Sequence, residues 1–474
     1  MSLIVKRLKL EPGRKHYLLY IGEIKSYGLA IYMAKTLEKF KKVPHDVIFI
    51  VPDVVAKYPP EVENVVVINP YVYDVFLRNL DIGICKKISA RIPLDEFYKA
   101  VSRDRFITEL LITLLKYQDE LFVYTFESKP TLELPPLRGL EFLGADPVIS
   151  DRWNDKFFQY EKLNKVVPVP EFIMTNKVND KLLNVLFSEW GTVFATCRYS
   201  AAGSNSAILD NPELFYRCFE NMNDVFMFAR YIKHMCDPTV LGIVANEKEV
   251  FIAGVADQMI EKGNRFVGSV YPSALPPSIV RKLRDYTVKV GRVLAVDGYR
   301  GFFGCDYIVD EKENIYFVEV NARKQGTTME FCCTFDVELE KNGNKVTLTD
   351  MEYSSIVYDA FPIGSDELYK VNPLNREVIN WGTYNYKTDV NITLKGEPET
   401  NTMSEVELFK RRHGYIITDY IGDGFTVRRG TFVGRVIAVG ENRAEVMDEL
   451  EKGKNEIESC VIKYRGGVKD VRGV

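Results

Sequence analysis

The stretch GCDYIVDEKENIYFVEVNAR, residues 304 to 323, constrains the chain more than any other. Two β-prone runs, CDYIV and IYFVEV, flank the polar segment DEKEN, a pattern that predicts an antiparallel hairpin. A tight turn centred on Lys312 and Glu313 pairs Asp310 with Ile315, Ile308 with Phe317 and Asp306 with Glu319. Directly opposed side chains lie roughly 4.5–5.5 Å apart at Cβ. Alternation along the second strand puts Asn321 on the Glu319 face. Two carboxylates held that close repel each other, and a shared proton or a divalent cation offsets the repulsion. Two carboxylates with one amide oxygen are hard ligands suited to Mg²⁺. A register slip of one residue would separate the pair. Two unrelated acids on a solvated face are therefore the competing expectation from the pattern alone.

A chain of 474 residues exceeds what one core organises, so several domains are expected. The formal charge of -4 sets up no broad positive field, which argues against a general nucleic-acid or membrane-surface role. The longest apolar runs, such as Leu110 to Leu115, are too short to span a bilayer, and the N-terminus shows no signal-peptide core. Eight cysteines without a CxxC pair suggest reduced thiols and a cytoplasmic location. Adjacent Cys332 and Cys333 are expected to pack at a strand edge.

The front of the chain alternates strand and helix patterns: HYLLYIG, then YGLAIYMAKTLEKF, DVIFIV, VENVVVI, and RFITELLITLLKYQDELFVYT. Such alternation implies a parallel sheet. Gly22 ends the first strand, but no GxGxxG follows, so a small Rossmann-like scaffold without a nucleotide loop is expected. Beyond residue 335 the pattern reads as β-rich. VTLTDMEYSSIVYDAF, YIITDY and GRVIAVG are predicted strands, and a last helix opens at Asn442 with Glu445 at capping-box spacing.

Two further clusters carry chemistry. In TVFATCRYSAAGSNSAI a strand delivers Arg198, and Gly203, Ser204, Asn205 and Ser206 follow. Small residues let backbone N–H groups approach an anion, although most such loops are only structural. In DRWNDKFFQYEKLNKVVPVPEF, Asp155-Lys156 opens an amphipathic helix that VPVP ends. Lys156 is a candidate phosphate ligand there, although a lone helix lysine is usually only solvated.

In this order the pieces resemble the ATP-grasp superfamily. They are Asn154-Asp155-Lys156, Val169-Pro170, Arg198 with Gly203 to Ser206, the hinge FMFARYI, and Asp306 followed by Glu319-Val320-Asn321. The spacing of Asp306 and Glu319 is similar to that in D-alanine–D-alanine ligases, and Glu-Val-Asn-Ala-Arg resembles the ending of biotin-carboxylase-like members. The resemblance implies an α/β and α+β chain in three units. These are a Rossmann-like domain over 1–150, a two-lobed ATP-grasp domain over 151–335 and a small β-rich C-terminal lobe over 336–474.

It further implies an ATP-dependent ligase that activates a carboxylate of an amino acid or peptide as an acyl phosphate. That intermediate is joined to an amine, with release of ADP and phosphate. The alternatives are a non-catalytic ATP-binding module, or an ATP-grasp carboxylase or acyl-CoA-forming enzyme. By the resemblance, Lys156, Arg198, Gly203, Ser204, Asn205 and Ser206 contact ATP phosphates. Ala229, Tyr231 and Ile232 line the adenine, and Asp237 is the candidate ribose acid. Asp306, Glu319 and Asn321 hold one or two Mg²⁺, with Mn²⁺ as a substitute. Arg323 stabilises charge at the reacting carboxylate, and Arg300 is a second candidate for that role. Lys324, Gln325 and Thr327, with FVGSVYP, are expected to line the acceptor pocket. Small-molecule substrates, no nucleic acid, no membrane and a homodimer complete the expectation.

Overall fold

Strand–helix alternation at the front of the chain builds a six-stranded sheet from β1 (Leu3–Arg7), β2 (His16–Ile21), β3 (His45–Val51), β4 (Asn64–Asn69), β5 (Leu121–Thr125) and β6 (Leu140–Leu143). Helices α1 (Tyr27–Lys41), α2 (Leu94–Arg103) and α3 (Arg105–Leu114) flank it. The strand order is β1-β4-β3-β2-β5-β6, parallel except for β1. The order therefore runs outward in both directions from the boundary between β2 and β5, the switch point at which open α/β sheets leave a crevice. The structure, a computed structural model, describes residues 3–52, 61–69, 92–198, 205–219, 224–261, 265–342, 346–364, 379–399, 403–424, 426–427 and 429–463.

After α4 (Pro147–Trp153) and α5 (Lys156–Leu163) comes a second, antiparallel sheet. It contains β7 (Phe172–Thr175), β8 (Val193–Cys197), β9 (Ser206–Leu209) and β10 (Phe226–Arg230), in the order β7-β10-β8-β9. Helices α6 (Asp180–Trp190) and α7 (Pro212–Cys218) bring Leu183, Leu186 and Phe215 onto its apolar face, closing a small separate core.

The largest sheet begins with β11 (His234–Cys236), β12 (Pro238–Val244), β13 (Val250–Glu261) and β14 (Arg265–Tyr271). After α8 (Pro277–Val296) it adds β15 (Gly301–Asp310) and β16 (Ile315–Asn321). Helices α9 (Thr328–Asn342) and α10 (Leu348–Tyr358) intervene before β17 (Asn380–Lys387). The chain then runs through β18 (Ile392–Leu394), α11 (Glu405–Arg411), β19 (Gly414–Thr418), β20 (Thr426–Val427), β21 (Phe432–Gly440), α12 (Arg443–Ser459) and β22 (Val461–Lys463). β17, β21 and β19 extend the large sheet beyond β14, whereas β18, β20 and β22 form a small sheet of their own.

Two local expectations are corrected. VTLTDMEYSSIVYDAF is not a strand: it contains α10, whose start is a capping box. Thr347 Oγ1 accepts from Asp350 N (3.1 Å), and Asp350 Oδ2 accepts from Thr347 N (3.0 Å). The same buried Asp350 accepts from Thr36 Oγ1 (2.8 Å) and pairs with Lys39, which fastens α10 to α1. Cys332 and Cys333 are not at a strand edge. Both are buried in α9, and Tyr32 Oη lies 3.8 Å from Cys333 Sγ. At α12, Asn442 accepts from Glu445 N (3.1 Å), but Glu445 reaches back to Glu441 N (2.7 Å), one residue beyond capping-box geometry.

Candidate active site

Apolar alternation on both strands folds β15 and β16 into the expected hairpin, and its turn is one residue longer than the sequence suggests. Asp310 N donates to Asn314 O (3.0 Å), and Glu313 takes a φ of 63°. This gives a three-residue loop with a left-handed third residue. Ile315 therefore faces Val309 and Phe317 faces Tyr307. A β-bulge between Tyr307 and Asp306 then restores the register, so that Asp306 faces Glu319 and Gly304 faces Asn321. The bulge sits next to the acidic pair, where it re-aims the side chains.

The Gln159 side chain and the Pro168 carbonyl fasten the outer edge of β16. Gln159 Oε1 accepts from Val320 N (2.8 Å), Gln159 Nε2 donates to Val320 O (2.8 Å), and Phe317 N donates to Pro168 O (2.8 Å). Gln159 is buried on α5, whose N-cap is Asp155, and this lock brings Lys156 Nζ to 2.6 Å from Glu319 Oε2. Gln159→Leu would remove the side-chain partner of three buried backbone groups, Val320 N, Val320 O and Trp153 O. A destabilisation of about 1–3 kcal/mol by chemical denaturation is expected, with weakened divalent-cation affinity. A Gln159→Leu variant with unchanged stability would show that the lock is dispensable.

The two acids are tuned apart. Burial, and then the charge of Glu319, push the Asp306 carboxyl up to about 7. Burial also raises Glu319, but the Lys156 ammonium, and then Arg323, outweigh it and hold that carboxyl below its ordinary range. Asp306 Oδ2 accepts from Asn321 Nδ2 (3.0 Å), and Oδ1 accepts from Gln258 Nε2 (2.8 Å). Asn321 Oδ1 accepts from Arg323 Nη2 (2.9 Å). Two carboxylates opposed across the hairpin, with an amide oxygen beside them, are a donor set that fits a hard divalent cation.

Gln258 and Gln325 are participants that sequence reasoning missed in this role. A Cβ on Gly304 would lie 2.0 Å from the Gln325 amide carbon, so the glycine opens the space that Gln325 fills. From there Gln325 Nε2 donates to Thr239 Oγ1 (2.9 Å) and lies 3.5 Å from Asp306 Oδ1. Lys324 and Thr327, expected to line an acceptor pocket, are buried like Gln325. Lys324 is committed to Glu352 at 2.8 Å.

The remaining candidates divide. Arg198 stands at the exit of β8 and pairs with Asp155 Oδ2 (2.7 Å), so the Asp155-Lys156 step bonds Arg198 through its acid and Glu319 of β16 through its cation. Gly203 and Ser204 lie outside the described residues. Asn205 takes a φ of 52°, and Ser206 starts β9 opposite Thr196. Ala229 lies inside β10, paired on both edges with Phe172 and Phe194. Tyr231 and Ile232 form the crossing from the four-stranded sheet to the large one, with Tyr231 N donating to Thr192 O (3.1 Å). Asp237 faces His234 Nε2 at 3.0 Å, and that hydrogen bond raises the imidazole above its ordinary pKa. Arg300 is not brought to the site. It precedes β15, at the far end from Asp306, where it pairs with Asp359 and donates to Tyr299 O (2.8 Å).

Comparison with known proteins agrees with this layout. Residues 153–327 match the ATP-grasp domain. That match is to a segment of the chain, the one that holds Lys156, Asp306, Glu319 and Asn321. A curated relative, the [butirosin acyl-carrier protein]–L-glutamate ligase of Niallia circulans, is 27% identical over 131 residues, which are 26% of this chain and 31% of that protein. The chain thus spans under a third of the length of the curated relative it matches.

Among solved structures, the carboxyaminoimidazole ribonucleotide synthetase of Thermotoga maritima superposes with a TM-score of 0.54 at 15% identity, covering 95% of this chain and 100% of that one. The β-γ-ATP complex of biotin carboxylase from Campylobacter jejuni gives 0.57 at 13% identity, covering 94% of this chain and 92% of that one. At such identities the likeness is one of fold alone.

Proposed function

We propose that this ATP-grasp chain is an ATP-dependent carboxylate–amine ligase that forms ADP. The observation that carries this reading is the opposed Asp306–Glu319 pair, with Asn321, Lys156 and Arg323 around it, inside the matched segment. The curated relative is itself named as a ligase of an acyl-carrier protein and L-glutamate, which supports the class. Asp306, Glu319 and Asn321 would hold one or two Mg²⁺. Bound there, the metal supplies charge neutralisation to the nucleotide phosphates.

The chain's own residues do the rest. Lys156 and Arg198 offer cations to the phosphates, together with backbone N–H groups of Gly203, Ser204, Asn205 and Ser206. Tyr231 and Ile232 bound the adenine beyond the paired strand holding Ala229, and Asp237 bounds the ribose. Arg323 pairs with the substrate carboxylate, and its planar fork then follows the charge as it moves. The carboxylate oxygen attacks the γ-phosphorus, the bond to the β-phosphate oxygen breaks, and ADP leaves. An amine then attacks the acyl carbon, inorganic phosphate leaves and the amine gives up a proton. The substrates in this reading are a small carboxylate, amino acid or peptide, and a small amine. We place the protein in the cytoplasm as a homodimer, and divide the chain at 1–150, 151–335 and 336–474, the last unit continuing the sheet of the second.

Product analysis with a panel of carboxylates, and hydroxylamine as a generic amine, tests the class. ADP, phosphate and a hydroxamate are expected, and AMP with pyrophosphate would overturn the acyl-phosphate route. Arg323→Ala should leave ATP affinity within a few-fold and lower turnover by roughly 10²–10³, the loss on removing one oxyanion donor. Arg323→Lys should rescue little, because an ammonium does not reproduce the fork.

A further inference from the structure

Glu127 has no part in the reading above, yet it meets the site residues from the opposite domain. It lies just beyond the end of β5, at the β2–β5 switch point of the N-terminal sheet. Tyr98 Oη donates to its backbone carbonyl (2.9 Å), which fixes the segment. Its Oε1 accepts from Asn154 Nδ2 at 3.1 Å. Its Oε2 lies 3.6 Å from Arg323 Nε, and both side chains keep some exposure, 27% for Arg323 and 17% for Glu127. The pair is therefore loose, outside hydrogen-bond distance, and accessible at its edge. Lys129 stands 3.8 Å from Oε1 but is shared with Asp95 at 3.4 Å. A carboxylate and a guanidinium side by side present the complement of an α-amino acid, whose own ammonium and carboxylate are also adjacent.

We propose that Glu127 and Arg323 together bind a free α-amino acid as a zwitterion, its ammonium on Glu127 and its carboxylate on Arg323. This rests on the ligase reading and names the carboxylate that is activated. The consequence is chemical. An amine held as ammonium on Glu127 has no lone pair to attack with, so the bound amino acid serves as the acyl donor and does not condense with itself. The nucleophile comes from a second molecule. Asn154 aims Glu127, and the switch point on which it stands is the place where open parallel sheets bind their ligands.

The test compares the proteinogenic L-amino acids with amine-free counterparts, glutarate, isocaproate and phenylpropanoate among them, in the full-length protein with MgATP and hydroxylamine. ADP formation should respond to at least one α-amino acid and not to its amine-free counterpart. Glu127→Gln should raise KM for that amino acid roughly 10- to 100-fold, the loss of one charge-assisted hydrogen bond. KM for ATP should stay unchanged and kcat within a few-fold, and Glu127→Asp should recover part of the loss. A purely structural Glu127 would lower kcat for every carboxylate alike, and that result would overturn the proposal. ADP formation with amine-free acids as good as with amino acids would also overturn it while leaving the ligase class standing. ADP formation with no carboxylate at all in the panel would sink both.

Discussion

Glu319→Gln is expected to lower ATP consumption in the presence of substrates by roughly 10³-fold or more while the protein stays folded. The substitution keeps the size of the side chain and removes its charge. In the free protein that charge is balanced by Lys156 at 2.6 Å and faces Asp306 across the hairpin. Folding loses one partly exposed ion pair, a small effect. Charge stabilisation at a reacting phosphate is worth far more, because it acts where charge moves in the transition state. A thermal melt shifted by no more than about 4 °C beside near-abolished ADP release is the expected pair of results. ADP release within about tenfold of the unsubstituted protein would remove Glu319 from the metal site and leave its ion pair with Lys156 as a structural one.

That acidic pair was legible in the sequence, but part of the route to it was mistaken. A two-residue turn at Lys312 and Glu313 pairs Asp306 with Glu319, and so does the structure. Between turn and pair, however, the strands run one residue out of step, with Ile315 on Val309 instead of Asp310. The longer loop and the bulge cancel. Alternation constrains only which residues face the core, and apolar Ile308, Val309, Tyr316 and Phe317 suit either register. The turn depends on Glu313 in a left-handed conformation, which a glutamate does not advertise.

The parallel front sheet followed directly from strand–helix alternation, and β19 and β21 from their β-branched runs. The segment that became α10 misled because Val346, Thr347, Thr349, Ile356 and Val357 favour strands, while the Thr347–Asp350 capping box decided the outcome. At the site itself, what sequence could not supply were the partners that reach in from other elements. Gln258 comes from β13, Gln159 from α5 and Glu127 from the opposite domain. A glutamine between apolar neighbours carries no sign of what it bonds. Gly304 did carry one: a strand glycine marks close approach, and there Gln325 is the group that approaches.

The same limit applies to Lys324, which sequence assigned to an acceptor pocket and which joins α10 to the end of β5. Its side chain is 5% exposed, and its ammonium lies 2.8 Å from Glu352 Oε1 on α10 and donates to Thr125 O at the end of β5 (2.9 Å). It lies 4.1 Å from the Tyr124 ring centroid, and Tyr124 Oη donates to Glu352 Oε2 (2.7 Å). Burial, and then the Glu352 charge, raise the Tyr124 phenol far above its ordinary pKa, so it remains a neutral donor. Lys324→Met would leave the Glu352 carboxylate, 2% exposed, without its cation. A loss of about 3–5 kcal/mol is expected, the cost of breaking a buried pair from one side, read as a fall on the order of 10 °C in the melting temperature. Adding Glu352→Leu should recover part of that fall: the unpaired charge is removed, while Tyr124 Oη and Thr125 O still lack the partners they had. Recovery of stability without recovery of turnover would separate the two duties of this lysine. One is to hold α10 to the N-terminal sheet; the other is to fix the chain immediately after Arg323 against that sheet, beside Glu127. If the single variant melts within about 2 °C of the parent, the buried pair contributes little and apolar contacts hold α10 against the N-terminal sheet.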